Sequence, residues 1–502
     1  MDSLKHGLSF GDEVTFSNTE NRARIHRASR QGLLRRIAPR IYTSNLKEDP
    51  ARIVRRNVWQ IAAAFFPGAL VADRTAIESR PATDNSVFLI SSRIRDLELP
   101  GVTFRPRRGV PPIEGIDQPF MAGLWMSGSA RALLENLRPS RSRGHIRRTL
   151  SRVEIENYLN RILQTTGEAA LNRLRDECKA LAPRLGLEDE FETLTNIIGA
   201  LLMTRETQLI SPVAKARAQG VGYDPDRLEL FEELRATLAS RSYESRPASS
   251  DAIYLPFFEA YFSNFIEGTE FLVEEAFDIV YQGVIPKERP ADAHDILGTF
   301  RVVSGDIGQT IDGAPDLVNV LKQWHGRILE GRPGERPGQF KLTPNRSGDT
   351  FFVQLELVQG TLRRGIAILR TLQEPFARAL FALFLVSEVH PFVDGNGRVA
   401  RVMMNAELVR ENQARVIIPT VYRTEYLQAL KALTHNKWAE PLIDVLDFAQ
   451  RYTAEVDWSN YDRARQILLE THAFDKPADA WGAAEKLLLP SRLAIAAGSI
   501  KR

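Results

Sequence analysis

The sequence predicts a mainly α-helical chain that opens with a small α+β domain and carries one β-hairpin inside its helical part. Three observations lead there. Residues 120–245, and again the stretch from Ala252 onward, place apolar residues at helical spacing. The two clearest strand-like runs, Val87–Ile90 and Val102–Phe104, both lie early in the chain and are separated by polar residues and Pro100-Gly101. The later helices are interrupted at Gly326–Asp349, a segment dense in Gly, Pro, Arg and Asn with turn residues between short apolar ends.

Composition sets the frame for these elements. A chain of 502 residues is longer than one ordinary core, so two to four domains are expected. With 43% hydrophobic and 26% charged residues, globally disordered, collagen-like and coiled-coil classes are excluded. No apolar run reaches the roughly 18 residues a membrane helix needs, and the first residues lack a hydrophobic signal core, so no membrane partner is expected. A single cysteine, Cys178, excludes an internal disulfide and any multi-Cys zinc site; a reducing, cytoplasmic setting is the simplest expectation. Net charge is only +3, but residues 1–150 hold 25 basic against 14 acidic residues, which leaves the remainder acidic. A basic module beside an acidic one suggests a surface facing nucleic acid or another acidic partner.

Taken in order, residues 1–137 read as a basic α+β domain. Ala23–Gly32 is a short polar helix, Leu33–Tyr42 a short hairpin, and Arg52–Phe66 a helix that Pro67-Gly68 stops. Residues 138–245 form a helical middle region. It begins with six arginines and no acid in 138–152, a loop touching phosphate or an acidic neighbour, or else a solvated linker. Ser240–Asp251, rich in Ser and Arg with Pro247, is the best boundary before a domain at 246–455, and 456–502 is a helical tail. Within 246–455, Gln354–Arg370 and Pro375–Val389 read as helices; the second is apolar all round, as befits the middle of a bundle.

That apolar helix runs into His390-Pro391-Phe392-Val393-Asp394-Gly395-Asn396-Gly397-Arg398-Val399-Ala400-Arg401. Pro391 and two glycines turn the chain between helices. Gly395 and Gly397 expose backbone amides that form an anion nest at a helix start, suited to phosphate. Arg398 and Arg401, three apart, share a helix face, and their guanidiniums match phosphate oxygens. Asp394 is a hard oxygen ligand for Mg²⁺ beside that nest. His390 has an ordinary pKa suited to a general base, and Phe392 is expected to anchor the loop. The spacing is not that of a P-loop.

The segment matches, at every fixed position, the core motif of the Fic family, His-Pro-Phe-x-Asp/Glu-Gly-Asn-Gly-Arg-x-x-Arg, and the resemblance extends over about residues 252–450. It implies an all-helical core with a hairpin flap after Pro337-Gly338, and transfer of AMP from ATP to a Tyr, Thr or Ser hydroxyl of a target protein. By resemblance, His390 takes the hydroxyl proton and Gly395, Asn396 and Gly397 hold phosphate oxygens. Asp394 binds Mg²⁺, and Arg398 and Arg401 take the β/γ end. Ser263-Asn264-Phe265-Ile266-Glu267-Gly268, in a stretch of helical spacing from Phe257 to Ala276, resembles the family's inhibitory helix. There Glu267 pairs with Arg401 and blocks the γ-phosphate, with Ser263 one turn earlier on the same face. Position after Tyr426 makes Asn436 a candidate for the adenine pocket. His294, His325, His435 and His472 stand alone and read as structural or surface residues.

The opening also resembles the winged-helix start of antitoxins from bacterial type IV toxin–antitoxin systems, on Gly32–Tyr42 and Val71–Glu78. That resemblance implies DNA binding through residues 21–60; the plain alternative is a basic face on a protein-interaction module. Two rival functions stand beside AMP transfer. One is a related transferase moving UMP or phosphate, which the retained Gly397 disfavours, since the phosphotransferase branch usually has Lys there. The other is a DNA-binding regulator whose Fic domain senses nucleotide. Target, base preference and assembly, including a homodimer, are left open.

Overall fold

The computed structural model describes residues 13–141, 146–312, 314–476 and 486–493. The chain divides into two compact units, Met1–Ala218 and Gln219–Arg502.

The first unit begins with a three-stranded antiparallel sheet of β1 (Val14–Phe16), β2 (Arg35–Ala38) and β3 (Ile41–Thr43), in the order β1-β3-β2, with α1 (Arg22–Arg30) between the first two. The hairpin expected at 33–42 forms, and its turn places Arg40 in the left-handed region at φ 69°. The single helix expected at 52–66 is instead two, α2 (Pro50–Arg56) and α3 (Val58–Phe65). The break is at Asn57, whose side-chain amide donates to Ile53 O and to Glu13 Oε2, so a polar side chain competes with the helix ladder.

Next come β4 (Leu70–Val71), α4 (Asp73–Glu78), β5 (Ser86–Ile90), β6 (Leu97–Leu99), β7 (Val102–Arg107), β8 (Gln118–Pro119) and β9 (Trp125–Met126). They form a mixed sheet in the order β6-β7-β5-β4-β9-β8. β5 is buried along its length and apolar after Ser86, as a central strand should be. A helical layer follows: α5 (Ser129–Leu137), α6 (Arg152–Leu185, kinked at Gly167), α7 (Glu188–Leu201) and α8 (Pro212–Ala218). Ser151 and Glu154 cap α6 reciprocally. Three of the arginines in 138–152 find acidic neighbours: Arg138 on Glu190, Arg148 on Asp73 and Arg152 on Glu156. Residues 142–145 of that segment lie outside the described residues. Cys178 is fully buried among leucines, and burial pushes its thiol up to about 12, which makes it inert.

The second unit is helical. Its elements are α9 (Pro225–Ala239), α10 (Leu255–Ile266), α11 (Val273–Phe277), α12 (Pro290–Val303), α13 (Ile307–Asp312) and α14 (Leu317–Ile328). The flap strands β10 (Arg346–Ser347) and β11 (Thr350–Phe351) follow, then α15 (Val358–Leu369), α16 (Pro375–Val389), α17 (Asn396–Arg410), α18 (Arg423–Asn436), α19 (Glu440–Glu455) and α20 (Tyr461–Glu470). α16 matches its expected bounds and is buried on all sides. α9 packs Phe231 edge-on against Phe381 and Phe384 of α16, so residues 225–239 share the core of this unit. The stretch Phe257–Ala276 is two helices, α10 and α11, parted by Glu267–Leu272, with Gly268 at φ 90°. Every residue of α10 except Pro256 is buried. Aromatic residues after α19 cover it: Tyr461 stacks on Phe258 at 5.7 Å and Phe474 on Phe262 at 5.4 Å. Among the described residues no helix is long and apolar enough to cross a membrane.

Candidate active site

α16 ends at His390 because Pro391 lacks the N–H needed to continue it. His390 closes the helix in the left-handed region, φ 50° and ψ 60°, a conformation that costs a non-glycine residue about 1–3 kcal/mol and that only the surrounding structure maintains. Phe392 is completely buried, as expected of an anchor. Gly395, at φ 73°, is the N-cap of α17, and the first amides of that helix have no carbonyl four residues back to receive them. Asn396 does not turn its side chain to the cleft. Its Oδ1 accepts from Phe392 N and its Nδ2 donates to Phe392 O, both at 2.9 Å, so it closes the turn and leaves only its backbone amide for an anion.

The imidazole of His390 sits with Nδ1 3.2 Å from Ser387 O and stacks on Phe352 of the flap at 3.8 Å. A carbonyl can only accept, so Nδ1 carries the proton and Nε2 holds the free lone pair. Burial, aided by the Lys341 charge, pushes its pKa down to about 4, and the ring is neutral at pH 7.

Arg401 is buried and fully engaged. Its Nε donates to Ser263 Oγ at 3.0 Å, and its Nη2 donates to Ser263 O at 2.8 Å and to Glu267 Oε1 at 2.7 Å. Burial opposes its charge, but the Glu267 carboxylate outweighs it and raises the pKa. Glu267 is the C-cap of α10, where the chain leaves the helix, and it still shares the face of Ser263, since both side chains bond the Arg401 guanidinium. This swings the carboxylate over Gly397, where a Cβ would collide with Oε1. An anionic group thus lies against the open amide end of α17, the position a phosphate would take.

Arg398 is buried, with Nη1 2.7 Å from Asp295, a hydrogen bond to Asn264 and Nη2 3.2 Å from Asp394. Its charge is matched inside the protein, and it does not line the cleft. Asp394 is half-exposed beside it. Among the described residues no group of three or more acidic, His or Cys side chains gathers to hold a metal. One exposed carboxylate fits an ion that keeps most of its ligands from phosphate and water, the usual habit of Mg²⁺.

The cleft continues from Glu267, Gly397, Arg401 and His390, past Ser387 and Phe352, to Leu427, Leu430, Lys431 and Thr434 of α18, under Ser347 and Thr350 of the flap. Asn436 is exposed and outside it; Thr434, two residues earlier, lines that wall. Glu388 is buried there, accepting from Thr434 Oγ1 at 2.7 Å and lying 2.8 Å from Arg227 of α9. Arg227 also donates to Phe351 O at 2.7 Å.

His325 is the residue whose surroundings the sequence hid most completely. It is buried on α14, with Nε2 3.0 Å from Asp394 O and Nδ1 accepting from Gly338 N at 2.9 Å. Its partners are 69 and 13 residues away, and no local spacing signals them. His435 likewise meets Thr350 Oγ1 at 2.8 Å, whereas His294 packs against Gly331 and His472 pairs with Asp475 on the surface.

Residues 316–408 match the family model of the Fic/DOC family. The chain is 26% identical over 265 residues to the protein adenylyltransferase Fic of Drosophila melanogaster, covering 50% of this chain and 52% of that protein. To the protein adenylyltransferase fic-1 of Caenorhabditis elegans it is 25% identical over 237 residues, covering 46% of this chain and 44% of that one. The chain thus spans about half the length of the curated relatives it matches. Among solved structures, residues 134–508 of Fic-1 from C. elegans align with TM-score 0.36 and 19% identity, over 60% of this chain and 95% of that one. A Fic-domain signalling protein from Bacteroides thetaiotaomicron aligns with TM-score 0.38 and 16% identity, over 45% and 93%. The turn between α16 and α17, with the helices that carry it, is therefore the centre of a Fic domain of the Fic/DOC family.

Proposed function

We propose that the chain is an autoinhibited protein adenylyltransferase that moves AMP from ATP to a hydroxyl of a target protein. The observation that carries the proposal is the meeting, in one cleft, of a neutral His390 with its Nε2 lone pair free and the Glu267–Arg401 pair seated on the amide end of α17. In the active state Glu267 leaves, and the amides of Gly395, Asn396 and Gly397 bind phosphate oxygens while Arg401 takes the distal phosphates. His390 Nε2 accepts the proton of the target hydroxyl. The oxygen forms a bond to the α-phosphorus as the bond to pyrophosphate breaks. Asp394 would hold Mg²⁺, which supplies charge neutralisation on the triphosphate when bound. Arg398, matched by Asp295, acts from beneath by fixing α17 and Asp394. Preorganised donors of this kind carry most of the rate in such transfers.

AMP is favoured over a bare phosphate because the chain keeps Gly397, where the phosphotransferase branch of the resembled family usually has Lys. The test is incubation of wild type and Glu267→Gly with α-³²P-ATP and γ-³²P-ATP, read on gels and by intact mass. Label from the α position alone with a mass gain of one AMP is expected. Label from the γ position would move the reading to phosphate transfer, and no label from either would remove the transferase reading.

A second reading applies to the N-terminal unit. A concavity between α1 and the hairpin is lined by Arg22, His26, Arg36, Arg40 and Tyr42. Basic and aromatic groups around one hollow suit a nucleic-acid phosphate chain. Arg56 is excluded from such a role, since it pairs with Glu13 and Glu48. A gel-shift series over salt with the full chain tests this; no retardation at low salt would leave a protein-interaction face.

A further inference from the structure

Besides the stack of Phe352 on His390, four contacts join the flap to the turn of the motif. Lys341 N donates to Pro391 O at 2.9 Å, Asn345 Nδ2 donates to Phe392 O at 2.9 Å, and Phe340 packs on Phe392. These tie down the body of the flap. The fourth lies at its root and belongs to neither segment. His325, from α14, accepts the Gly338 amide on Nδ1 and donates from Nε2 to the Asp394 carbonyl. Its ring lies flat on Phe392, 3.8 Å away and 4° from parallel, and a Cβ on Gly395 would stand only 3.5 Å from it. Both nitrogens are satisfied with opposite polarity, which fixes one tautomer of a neutral ring. A core histidine needs no such arrangement: an apolar ring would fill the space. Here one planar group spaces two segments that meet nowhere near each other in sequence, one laying the target over His390 and the other presenting amides to phosphate.

We propose that His325 is a positioning residue for transfer: it holds the flap root and the Asp394-Gly395 turn in one register, so that target hydroxyl and α-phosphorus meet. This rests on the transferase reading. The effect is on alignment rather than on nucleotide affinity, and a misplacement of about 1 Å is enough to cost on the order of 100-fold in rate.

The test uses the full chain carrying Glu267→Gly. His325→Phe keeps the stack on Phe392 and removes both hydrogen bonds. His325→Asn keeps an acceptor near the Nδ1 position, and His325→Gln a donor near the Nε2 position. In His325→Phe, hydrogen–deuterium exchange at 336–345 and 391–398 is expected to rise together, about 10-fold or more, while 376–386 in α16 keeps its protection. The kcat for self- or partner-labelling is expected to fall about 100-fold, with the KM for ATP within about threefold. His325→Asn should loosen the turn and His325→Gln the flap root, each losing turnover. Exchange at parent rates in both segments, movement of only one segment in His325→Phe, or turnover retained within twofold overturns the proposal. If His325→Phe does not fold, the Asn and Gln variants decide by the same two readouts. A parent without transfer removes the transferase reading, and the exchange data then decide on His325 by themselves.

Discussion

Each unit of the molecule contains a buried arginine held by carboxylates, and the two are built to opposite ends. In the first, Arg131 is completely buried, 2.6 Å from Asp117 and 3.0 Å from Glu135, and also donates to the carbonyls of Pro111 and Val110. Both carboxylates are buried too. In the second, Arg401 is as buried and has a contact of similar length, 2.7 Å, but its partner Glu267 keeps a quarter of its side chain exposed and faces a cleft. A buried ion pair alone therefore says little about function. What distinguishes the second is a partner that stands where a ligand would stand and can leave into solvent.

Breaking the first pair should cost stability and nothing else. Arg131→Ala would leave the buried Asp117 without its charged partner, while Glu135 keeps Arg107, and about 3 kcal/mol of unfolding free energy is expected to be lost, read as a lower midpoint in urea. If the loss is under about 1 kcal/mol, the contrast drawn above fails on its structural side. Breaking the second should cost little stability and release activity. Glu267→Gly is expected to raise productive ATP binding about 30- to 1,000-fold, corresponding to about 2–4 kcal/mol for a charged buried contact, measured by titration beside wild type. Arg401→Ala should not imitate it, because the same guanidinium is needed by the triphosphate. Unchanged ATP affinity and transfer in Glu267→Gly would make α10 a plain structural helix.

The pH profile sharpens the same contrast. His390 is held well below its ordinary 6.5, to about 4, chiefly by burial. The unfolded chain therefore binds the extra proton first. The stability tied to this group is present above 6.5 and is lost as pH falls from there toward 4. The base form likewise persists, so the acid limb of kcat/KM in Glu267→Gly is expected near 4; a limb near 6.5 would show an open, solvated imidazole. The smallest effect belongs to the N-terminal hollow. Changing Arg22, Arg36 and Arg40 to Ala should flatten the salt dependence of nucleic-acid binding by roughly one unit of slope per lost phosphate contact. An unaltered slope would detach the hollow from any phosphate backbone.

The motif from His390 to Arg401 was readable because its chemistry is local: a proline, two glycines and two arginines dictate a turn, a helix start and a face within twelve residues. α16 was readable for a similar reason, being apolar in every direction. The pairing of Glu267 with Arg401 was reachable only through resemblance, since 134 residues separate them. Spacing put Ser263 and Glu267 on one face, as their shared partner Arg401 bears out, but did not show that the helix ends at Glu267. Arg398 was assigned to phosphate because sequence shows a free cation, whereas Asp295, a hundred residues earlier, already neutralises it. Asn57 broke a helix that periodicity ran straight through, because its side chain found the carboxylate of Glu13, just before β1 and far upstream. Each gap has one cause: the deciding partner comes from a distant part of the chain.

The seating of α10 bears on how quickly the proposed block by Glu267 can be lifted. Its aromatic face is clasped by Tyr461 and Phe474, and Arg423 donates to the carbonyl of Ile266 at its end. Withdrawing the helix would mean opening a core, an event of milliseconds or slower. Glu267 stands just past that clasp, followed by Gly268 in a conformation few other residues adopt. Its carboxylate can swing aside by rotation about side-chain bonds and one flexible glycine, in nanoseconds to microseconds. The block then behaves as a tethered competitor in rapid exchange with nucleotide, so wild-type protein should leak activity in proportion to ATP concentration without any lag.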